Sequence, residues 1–341
     1  MAAAFVVLFD SERAKRRERV FRDRSNPLDT FNDTEVVARY RFPRRYIFEL
    51  VDLVQDKIQH PTTRSYAIPS HIQVLTTLRF LAKGEYLSEV GDLHGISISS
   101  ASRIVTSVCS ALCESLDNVK FPETNEDLAK VKEDFYQLAS FPNVVGAIDG
   151  TLIPIQGMTG DEEPNLICRK GFSAINVQGV VDANLRFSNI VVRWPGATHD
   201  SFILQNSSLP NIMRRVNGWL LGDSGYPLRK WLLTPFVNPR SPQEQRYNNA
   251  HCTTRNTVER AFGVLKSRFR CIHKTGGSLQ FAPEKCIKII ECCFRLHNKA
   301  IDARTPLIAG NEPVQLYQNN VAYQGLDNDG IAVRQRVVQR F

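Results

Sequence analysis

The chain contains 341 residues, of which 43% are hydrophobic, and carries a formal net charge of +8. This length predicts one or two domains with a sizeable core, and no apolar run approaches the roughly 20 residues that span a bilayer, which argues against a membrane protein. The basic excess favours a polyanionic partner, above all nucleic acid, although a generally basic soluble protein would carry the same charge.

Residues 1–40 are expected to form a weakly ordered, basic N-terminal arm. Between positions 13 and 24, seven arginine or lysine residues stand against two acidic residues. Such an arm is typical of DNA contacts or of an import signal, and a solvated helix face is the alternative. The first residues are apolar but lack a basic n-region and a convincing cleavage site, so no secretory signal is predicted.

Residues 41–140 are predicted to form an all-α domain that contains a helix-turn-helix. Apolar residues recur at helical spacing in two segments that each follow a proline. In the segment 86–105, Gly95 would provide a tight turn, and a serine at 97 or 99 would cap the second helix. A plain helical hairpin is the alternative, because the second helix offers Arg103 but otherwise mainly serines for reading DNA bases.

From residue 141 onward the pattern changes to short β-rich segments followed by helices. Strands are predicted at 144–148, 152–155, 174–181, 187–194 and 219–221. A hairpin turn is predicted at 182–184, and long helices are predicted at 242–270 and 284–303. An RNase H-like α/β domain has the element order strand, hairpin, helix, strand and terminal helices. This order predicts such a domain at residues 141–303. Residues 304–341 lack strong periodicity and are expected to form a tail.

The eight cysteines are predicted to be free thiols. None forms a CxxC pair, and none has zinc-finger spacing with histidine. Because most fall in apolar or helical contexts, they are expected to pack as small hydrophobic side chains. With no secretory signal, this pattern favours a reducing compartment, either cytosol or nucleus.

Three carboxylates occupy positions that are typical of metal chemistry on DNA. Asp149 and Asp223 each end an apolar, strand-like run, and Glu259 lies on the long amphipathic helix. Taken singly, the aspartates are more simply explained as turn residues and the glutamate as a surface residue. Together, two strand-end aspartates followed by a helical glutamate have the ligand order of a two-metal site that cuts or joins DNA strands.

A cation is needed if these three acids share one site. Clustered carboxylates repel each other by about 4 kcal/mol per pair at ~4 Å and an effective dielectric near 20. Hard cations such as Mg²⁺ or Mn²⁺ prefer carboxylate oxygen ligands and keep several waters. The sequence therefore predicts that Asp149, Asp223 and Glu259 bind Mg²⁺ or Mn²⁺.

Basic side chains near the acids are interpreted as DNA contacts. Arg255, Lys266 and Arg270 share one edge of the helix with Glu259. One acid beside three bases suits a metal ligand flanked by phosphate contacts, and a basic solvent face with weak Arg–Glu pairs is the alternative. The loop segment 169–171 is also predicted to contact phosphate, through Arg169 and Lys170, with a solvated loop as the alternative.

Accessory roles are predicted for His199 and Asp200. Asp200 would be a further acid near the site, and His199 would contact phosphate or an outer-shell water. The alternative for Asp200 is a favourable interaction with the dipole of the helix that it begins. His297, in contrast, has apolar neighbours in the last predicted helix and is expected to be structural.

Five segments resemble, in order, sequence blocks of the PIF/Harbinger-type DDE transposases. These segments are 145–155, 169–178, 194–200, 221–235 and 256–271. The likeness extends over residues 40–303. One departure is Leu152, which stands where many relatives have histidine and affects an accessory role at most.

The resemblance implies that Asp149, Asp223 and Glu259 are the catalytic DDE triad of a DNA endonuclease that uses Mg²⁺ or Mn²⁺. It further implies action on double-stranded DNA together with a Myb/SANT-like DNA-binding partner. The implied location is the nucleus, with the cytoplasm as a second compartment. A homodimer fits the same resemblance, because transposition joins two DNA ends.

Two other functions remain open on the sequence. The first is a domesticated, non-catalytic DNA-binding or adaptor protein that works with the Myb/SANT-like partner; the retained triad argues against it. The second is an RNase H-like phosphoesterase that acts on RNA. Against this second function, the sequence offers nothing beyond the family likeness.

Overall fold

The computed structural model describes residues 26–60, 66–157, 163–307 and 327–341, so the basic run at 13–24 lies outside the described residues. The described N-terminal part is a unit of packed helices. These helices are α1 Pro27–Thr30, α2 Asp33–Tyr40, α3 Arg44–Ile58, α4 Ser70–Lys83, α5 Leu87–Leu93 and α6 Ile98–Ser115.

Helical order begins earlier in the chain than the sequence predicted, because residues 26–40 form α1 and α2. Asn32 caps α2 by accepting a hydrogen bond from the Glu35 N–H at 3.0 Å, and the Glu35 side chain accepts one from the Asn32 N–H. This capping box satisfies donors that a helix start leaves unpaired. Val36 and Tyr40 are fully buried, so α2 packs into the helical unit and is not part of a weakly ordered arm.

Helices α5 and α6 form a bent pair in the segment where the sequence predicted one. The two helices are bent by 96°, and Gly95 has a left-handed φ of 62° in the turn between them. Ser97 caps α6, because its hydroxyl accepts a hydrogen bond from the Ser100 N–H at 3.2 Å. No single helix within the described ranges is long and apolar enough to cross a membrane, although α5 and α6 taken together meet that length and composition.

Five strands form one mixed sheet in the order β3-β2-β1-β4-β5. The first three strands pair antiparallel, whereas β4 is parallel to β1 and β5 is parallel to β4. The strands are β1 Val144–Pro154, β2 Ala174–Val181, β3 Phe187–Pro195, β4 Trp219–Leu221 and β5 Leu232–Leu233. All residues of β2 are buried, which places this strand in the centre of the core.

β1 is one strand of 11 residues, whereas the sequence predicted two short strands separated at the Asp149-Gly150 step. Asp149 pairs with Gly179, and Gly150 pairs with Gln178, in the antiparallel ladder with β2. Continuous pairing with β2 satisfies the backbone groups through this step, so the Asp-Gly turn signal is overridden. Asp149 therefore lies inside a strand and not at its end.

Helix α7 (Asn125–Ala139) packs on the sheet, so the last helix of the predicted all-α domain contributes to the α/β core. Phe135 of α7 is fully buried in a cluster that includes Phe141 and Leu221. Three short helices follow within the α/β unit. They are α8 Glu163–Leu166, α9 Asp200–Gln205 and α10 Leu209–Met213.

Two long helices follow the sheet, α11 Pro242–Arg268 and α12 Pro283–Asp302. Between them lie two 3₁₀ turns, Arg270–Ile272 and Lys274–Gly276, so the helix predicted to reach residue 270 ends two residues earlier. The ring of Phe187 on β3 contacts Phe262 of α11 at 5.5 Å and Phe294 of α12 at 4.5 Å between centroids. These aromatic contacts join both helices to the antiparallel half of the sheet.

His297 is structural, as the sequence predicted, and its neighbour Asn298 shares that role. Both are fully buried, and the His297 Nε2 atom lies 2.8 Å from the Leu185 carbonyl oxygen. The Asn298 side chain accepts a hydrogen bond from the Phe187 N–H at 2.9 Å and donates to the Phe187 carbonyl at 2.8 Å. These bonds attach α12 to the start of β3.

The described part of the C-terminal segment ends in a helix, α13 Asn328–Val338, and is not a simple tail. Asp327 caps this helix by accepting a hydrogen bond from the Asp329 N–H at 3.1 Å. Val337 and Val338 are buried in the cluster that contains Tyr247 of α11. The C-terminal helix therefore completes the core beside the start of α11.

All eight cysteines are free thiols, as predicted, and all except Cys252 are buried. The sulfur atoms of Cys271 and Cys293 lie 3.8 Å apart. Burial raises the pKa of the Cys286 thiol to about 12. The buried cysteines therefore act as small hydrophobic side chains in this core.

Candidate active site

The parallel pairing of β1 with β4 brings Asp149 and Asp223 to the same edge of the sheet. Ala147 is paired with Leu221, and each aspartate follows its paired residue by two positions. Because side chains alternate along an extended chain, residues two positions beyond a pair project toward the same face. β4 ends at Leu221, and the charge of Asp223 in the following loop acts directly on Asp149.

Backbone N–H groups orient both aspartates. The Gly150 N–H donates to Asp149 Oδ1 at 2.8 Å, and the Gly225 N–H donates to Asp223 Oδ1 at 3.0 Å. Each carboxylate is thus fixed through one oxygen by its own segment of chain. The second oxygen of Asp149 takes part in the contact with α11.

Asp200, predicted as an accessory acid, is brought to the same site. It begins α9, and its carboxylate lies directly over Gly150, where an added β-carbon would lie 2.3 Å from Asp200 Oδ1. The Asn176 amide donates to Asp200 Oδ1 at 3.0 Å and to the Thr198 carbonyl at 2.8 Å. A glycine on β1 and an asparagine on β2 therefore position this acid beside Asp149.

Helix α11 presents Arg255 and Glu259, one turn apart, to Asp149. Arg255 Nη1 lies 3.3 Å from Asp149 Oδ2, and Arg255 Nη2 is hydrogen-bonded to Glu259 Oε1. All three side chains are largely buried, with exposed fractions of 14% for Arg255, 15% for Asp149 and 12% for Glu259. Arg255, predicted as a phosphate contact, joins two of the predicted catalytic acids.

Burial and the neighbouring carboxylates shift the pKa values of the acids in the site. Burial raises the pKa of Asp149 to about 8; Arg255 opposes this shift, and the charges of Asp223 and Asp200 add to it. Burial also raises the pKa of Asp200, against a hydrogen bond from Asn176 that lowers it. The lowering effect of the ion pair with Arg255 on the pKa of Asp149 is therefore outweighed by burial together with the charges of the two neighbouring aspartates.

Tyr226 and Gln178 also belong to the site, although the sequence did not single them out. Tyr226 is 1% exposed and donates its hydroxyl to Gln178 Oε1 at 3.4 Å. Burial raises the pKa of Tyr226, and Asp200, Asp149 and Asp223 raise it further, so the phenol stays protonated beside the acids. Both residues fall within family-like segments, which was the available sequence signal.

Lys266 of α11 contacts β1. Its Nζ donates to Thr151 Oγ1 at 2.6 Å and to the Leu152 carbonyl at 3.3 Å. Burial lowers the pKa of Lys266 to about 8, with Lys170 acting in the same direction and Asp149 in the opposite one. Lys266, which the sequence predicted to contact phosphate, therefore lies close to the acids and is hydrogen-bonded to β1, the strand that carries Asp149.

Three further predicted residues lie at the rim of the site. Arg169 and Lys170 are exposed on the loop before β2, and His199 is exposed at the N-cap of α9. The charges of Arg169 and His199 lower the pKa of Asp200, which places both near that carboxylate.

Two residues that were predicted to contact DNA lie outside the elements that carry the carboxylates. Arg270 belongs to the first 3₁₀ turn after α11 and donates to Thr275 Oγ1 at 2.9 Å. Arg103 is exposed on α6 of the helical unit and donates to the Ser99 carbonyl at 3.2 Å. Neither residue stands on an element that carries one of the carboxylates.

The donors of the site fit a divalent cation in their chemistry. Within the part of the chain that the structure describes, no three His, Cys, Asp or Glu side chains stand close enough together to hold a metal ion. Asp149, Asp200, Asp223 and Glu259 nevertheless provide the carboxylate oxygens that Mg²⁺ and Mn²⁺ prefer. Arg255 contacts two of these four acids in the present arrangement.

Comparison with known families defines the class of the α/β unit. Residues 148–298 match the family described as "DDE superfamily endonuclease". This range begins one residue before Asp149, ends at Asn298 of α12, and contains all four carboxylates. The α/β unit is thus a DDE superfamily endonuclease domain.

Individual relatives extend the match over most of the chain. The chain is 38% identical over 279 residues to "Putative nuclease HARBI1" of Homo sapiens, across 81% of this chain and 80% of the human protein. It is 33% identical over 317 residues to the Xenopus laevis protein of that name, across 91% of each chain. It is 29% identical over 298 residues to "Protein ALP1-like" of Arabidopsis thaliana, across 80% of this chain and 71% of the plant protein. No solved structure matches.

The chain therefore belongs to the family of Harbinger transposase-derived nucleases.

Proposed function

We propose that this protein is a metal-dependent DNA endonuclease with Asp149, Asp223 and Glu259 as its catalytic acids. The observation that supports the proposal is that one arginine joins the acid of β1 to the acid of α11, while the acid in the loop after β4 acts on the first through its charge. Arg255 contacts Asp149 and Glu259 together, and Asp223 acts electrostatically on Asp149. Membership of the nuclease family supports the reaction class.

The roles of the acids follow from their chemistry. A pair of divalent ions, when bound, supplies charge that activates the attacking oxygen and stabilises the leaving oxygen of a phosphodiester. Asp149, Asp223 and Glu259 would hold Mg²⁺ or Mn²⁺ through carboxylate oxygens. Asp200, held by Asn176, would add a fourth carboxylate beside Asp149.

Basic side chains around the acids are proposed to bind the DNA backbone. Arg169 and Lys170 are exposed at the rim, and Lys266 lies near both Lys170 and Asp149, since the charges of both act on its pKa. Cationic side chains neutralise phosphate and position the strand without reading its sequence. Arg270 would extend this contact beyond the end of α11.

We also propose that the α/β unit has an RNase H-like topology and that α5 and α6 form a helix-turn-helix. Strand, hairpin, helix, strand and long helices occur in the order expected of an RNase H-like domain, which supports that topology. The bend of 96° between α5 and α6, with a short glycine-containing turn, supports a helix-turn-helix that docks on double-stranded DNA. Arg103 would contact DNA there, and its serine-rich surroundings favour recognition shared with a Myb/SANT-like partner.

We further propose the nucleus as the site of action, with the cytoplasm as a second location, and a homodimer that holds two DNA ends. The family resemblance supports these assignments, and the basic net charge supports a nucleic-acid partner. Localisation of the tagged protein, and its mass in solution with and without DNA, test them.

Cleavage by charge-neutral variants tests the catalytic proposal. Asp149→Asn and Glu259→Gln are expected to abolish Mg²⁺-dependent cleavage of duplex DNA while circular dichroism and thermal unfolding still report a folded protein. Glu284→Gln, which removes a charge from an exposed position on α12, serves as the control and is expected to retain cleavage.

Two outcomes would redirect the assignment. DNA binding without any Mn²⁺ binding in the wild type would favour the non-catalytic adaptor. Faster cleavage of an RNA–DNA hybrid than of duplex DNA would favour the phosphoesterase that acts on RNA. Unchanged duplex cleavage in Asp149→Asn would contradict the catalytic assignment itself.

A further inference from the structure

We propose that Arg255 is a resident counter-cation: its guanidinium occupies the position between Asp149 and Glu259 until a divalent ion displaces it. Loading of the site is then an exchange of one cation for another. This inference rests on the proposed function, because it requires that these two acids are metal ligands.

The geometry of the guanidinium carries the inference. Two different nitrogens of Arg255 bind two different acids, Nη1 to Asp149 Oδ2 and Nη2 to Glu259 Oε1. Asp149 and Arg255 are 106 positions apart in the chain, so this bridge depends on the fold and is not a local helix contact. The planar fork of arginine suits simultaneous contact with two carboxylates, which a lysine point charge does not.

Arg255 and a divalent ion held by the same two acids would compete for the carboxylate oxygens of Asp149 and Glu259. Two cations within a few ångströms of each other also repel, and this repulsion is stronger in a buried site than in water. A divalent ion held by Asp149 and Glu259 would therefore displace the Arg255 guanidinium from its present position.

Burial explains why the site holds its own cation. The side chains of Asp149 and Glu259 are 15% and 12% exposed, and a largely buried carboxylate without a partner is strongly unfavourable. Asp223 and Asp200 add further negative charge beside Asp149. Arg255 compensates part of this charge in the protein without metal, and a divalent ion compensates more.

Isothermal titration of the full chain with Mn²⁺ tests the exchange. Arg255→Gln removes the competing charge, so we expect its apparent Kd for Mn²⁺ to be at least tenfold lower than that of the wild type, about 1.4 kcal/mol. Arg260→Gln is the matched control, because it removes the same charge from an exposed position beside Glu259 on the same helix. Its Kd is expected to stay within a factor of three of the wild type. Equal or weaker Mn²⁺ binding by Arg255→Gln would overturn the inference.

Thermal unfolding supplies a second readout that needs no activity. In EDTA, Arg255→Gln is expected to unfold at a lower temperature than Arg260→Gln, and saturating Mn²⁺ is expected to reduce this difference. An undiminished difference would mean that Arg255 is purely structural. Arg255→Lys keeps the positive charge but loses the planar guanidinium that contacts both acids. We expect its Mn²⁺ affinity to lie between those of the wild type and Arg255→Gln. If the glutamine variant does not fold, the lysine variant tests the exchange in its place.

Different results would contradict the metal site and the counter-cation role of Arg255. If the wild type binds Mn²⁺ and Asp149→Asn does not, while the Arg255 variants gain no affinity, the metal site stands and the counter-cation role falls. If neither the wild type nor any variant binds Mn²⁺, both fall together.

Discussion

The carboxylate of Asp200 occupies the space that a side chain at Gly150 would need. A β-carbon at position 150 would lie 2.3 Å from Asp200 Oδ1, which is far inside any normal contact. Asn176 holds the same oxygen at 3.0 Å, so the acid cannot turn aside without losing a hydrogen bond. The glycine after Asp149 is therefore required by the approach of a second acid and not by a turn.

Gly150→Ala should affect cleavage far more than stability. The new methyl group displaces Asp200, and a shift of about 1 Å at a reacting centre lowers rates about 100-fold. We expect cleavage to fall at least tenfold, while the free energy of unfolding changes by about 1 kcal/mol, as for an average substitution. Gly157→Ala is the control, because its β-carbon would meet Ser173 Oγ at an ordinary 3.6 Å. Equal losses of cleavage in the two variants would contradict this role of Gly150.

Asn176→Ala should release Asp200 and also destabilise the protein. It removes hydrogen bonds of 2.8 Å to Thr198 and 3.0 Å to Asp200 from a buried position. We expect the free energy of unfolding, measured by chemical denaturation, to fall by about 1–3 kcal/mol, and we expect cleavage to become slower. Asn248→Ala also removes two side-chain hydrogen bonds, both 2.9 Å to the backbone of Phe236. We expect this control to lose stability and keep its cleavage rate, whereas slower cleavage in both variants would point to a general effect of stability.

His297 should make the protein less stable as pH falls below neutral. Burial lowers the pKa of His297 to about 4, against a hydrogen bond to Leu185 that raises it, whereas an unfolded histidine titrates near 6.5. Between these two values the unfolded chain takes up a proton that the folded protein refuses. The free energy of unfolding should therefore fall by about 1.4 kcal/mol per pH unit from this residue alone.

Denaturant melts from pH 7.5 to pH 5 check this expectation. In His297→Gln the unfolding free energy should fall less steeply with acid than in the wild type, although it starts from a lower value. His60→Gln, at an exposed position, should follow the slope of the wild type. Parallel curves for the wild type and His297→Gln would show that His297 contributes nothing to acid sensitivity.

Most elements of the α/β unit were predictable because each has a strong local signal. The hairpin at 182–184 and the long helices appear where apolar spacing and turn residues indicated them. Asp149-Gly150 was misread as a turn, because pairing with β2 is a tertiary effect that a dipeptide does not reveal. The helices at 33–40 and 328–338 were missed even though Asn32 and Glu35 carry a recognisable capping box.

The sequence predicted a shared role for the three acids, but it did not predict which side chains contact them. Asp149, Asp223 and Glu259 stand in an order and on elements that suggest a common site. The bond between Arg255 and Asp149 depends on the packing of α11 against β1, so the sequence could only place Arg255 beside Glu259. Tyr226 lies in a family-like segment but was not singled out, because its position beside three aspartates arises from the fold of the loop after β4.

A crystal structure of the protein grown with Mn²⁺, with anomalous scattering recorded for manganese, tests the metal-dependent chemistry most directly. We expect manganese peaks bound by Asp149, Asp223 and Glu259, with the Arg255 guanidinium moved away from the first and third of these acids. Manganese that is absent from this site, or bound elsewhere while Arg255 still joins Asp149 to Glu259, would contradict both the catalytic assignment and the cation exchange.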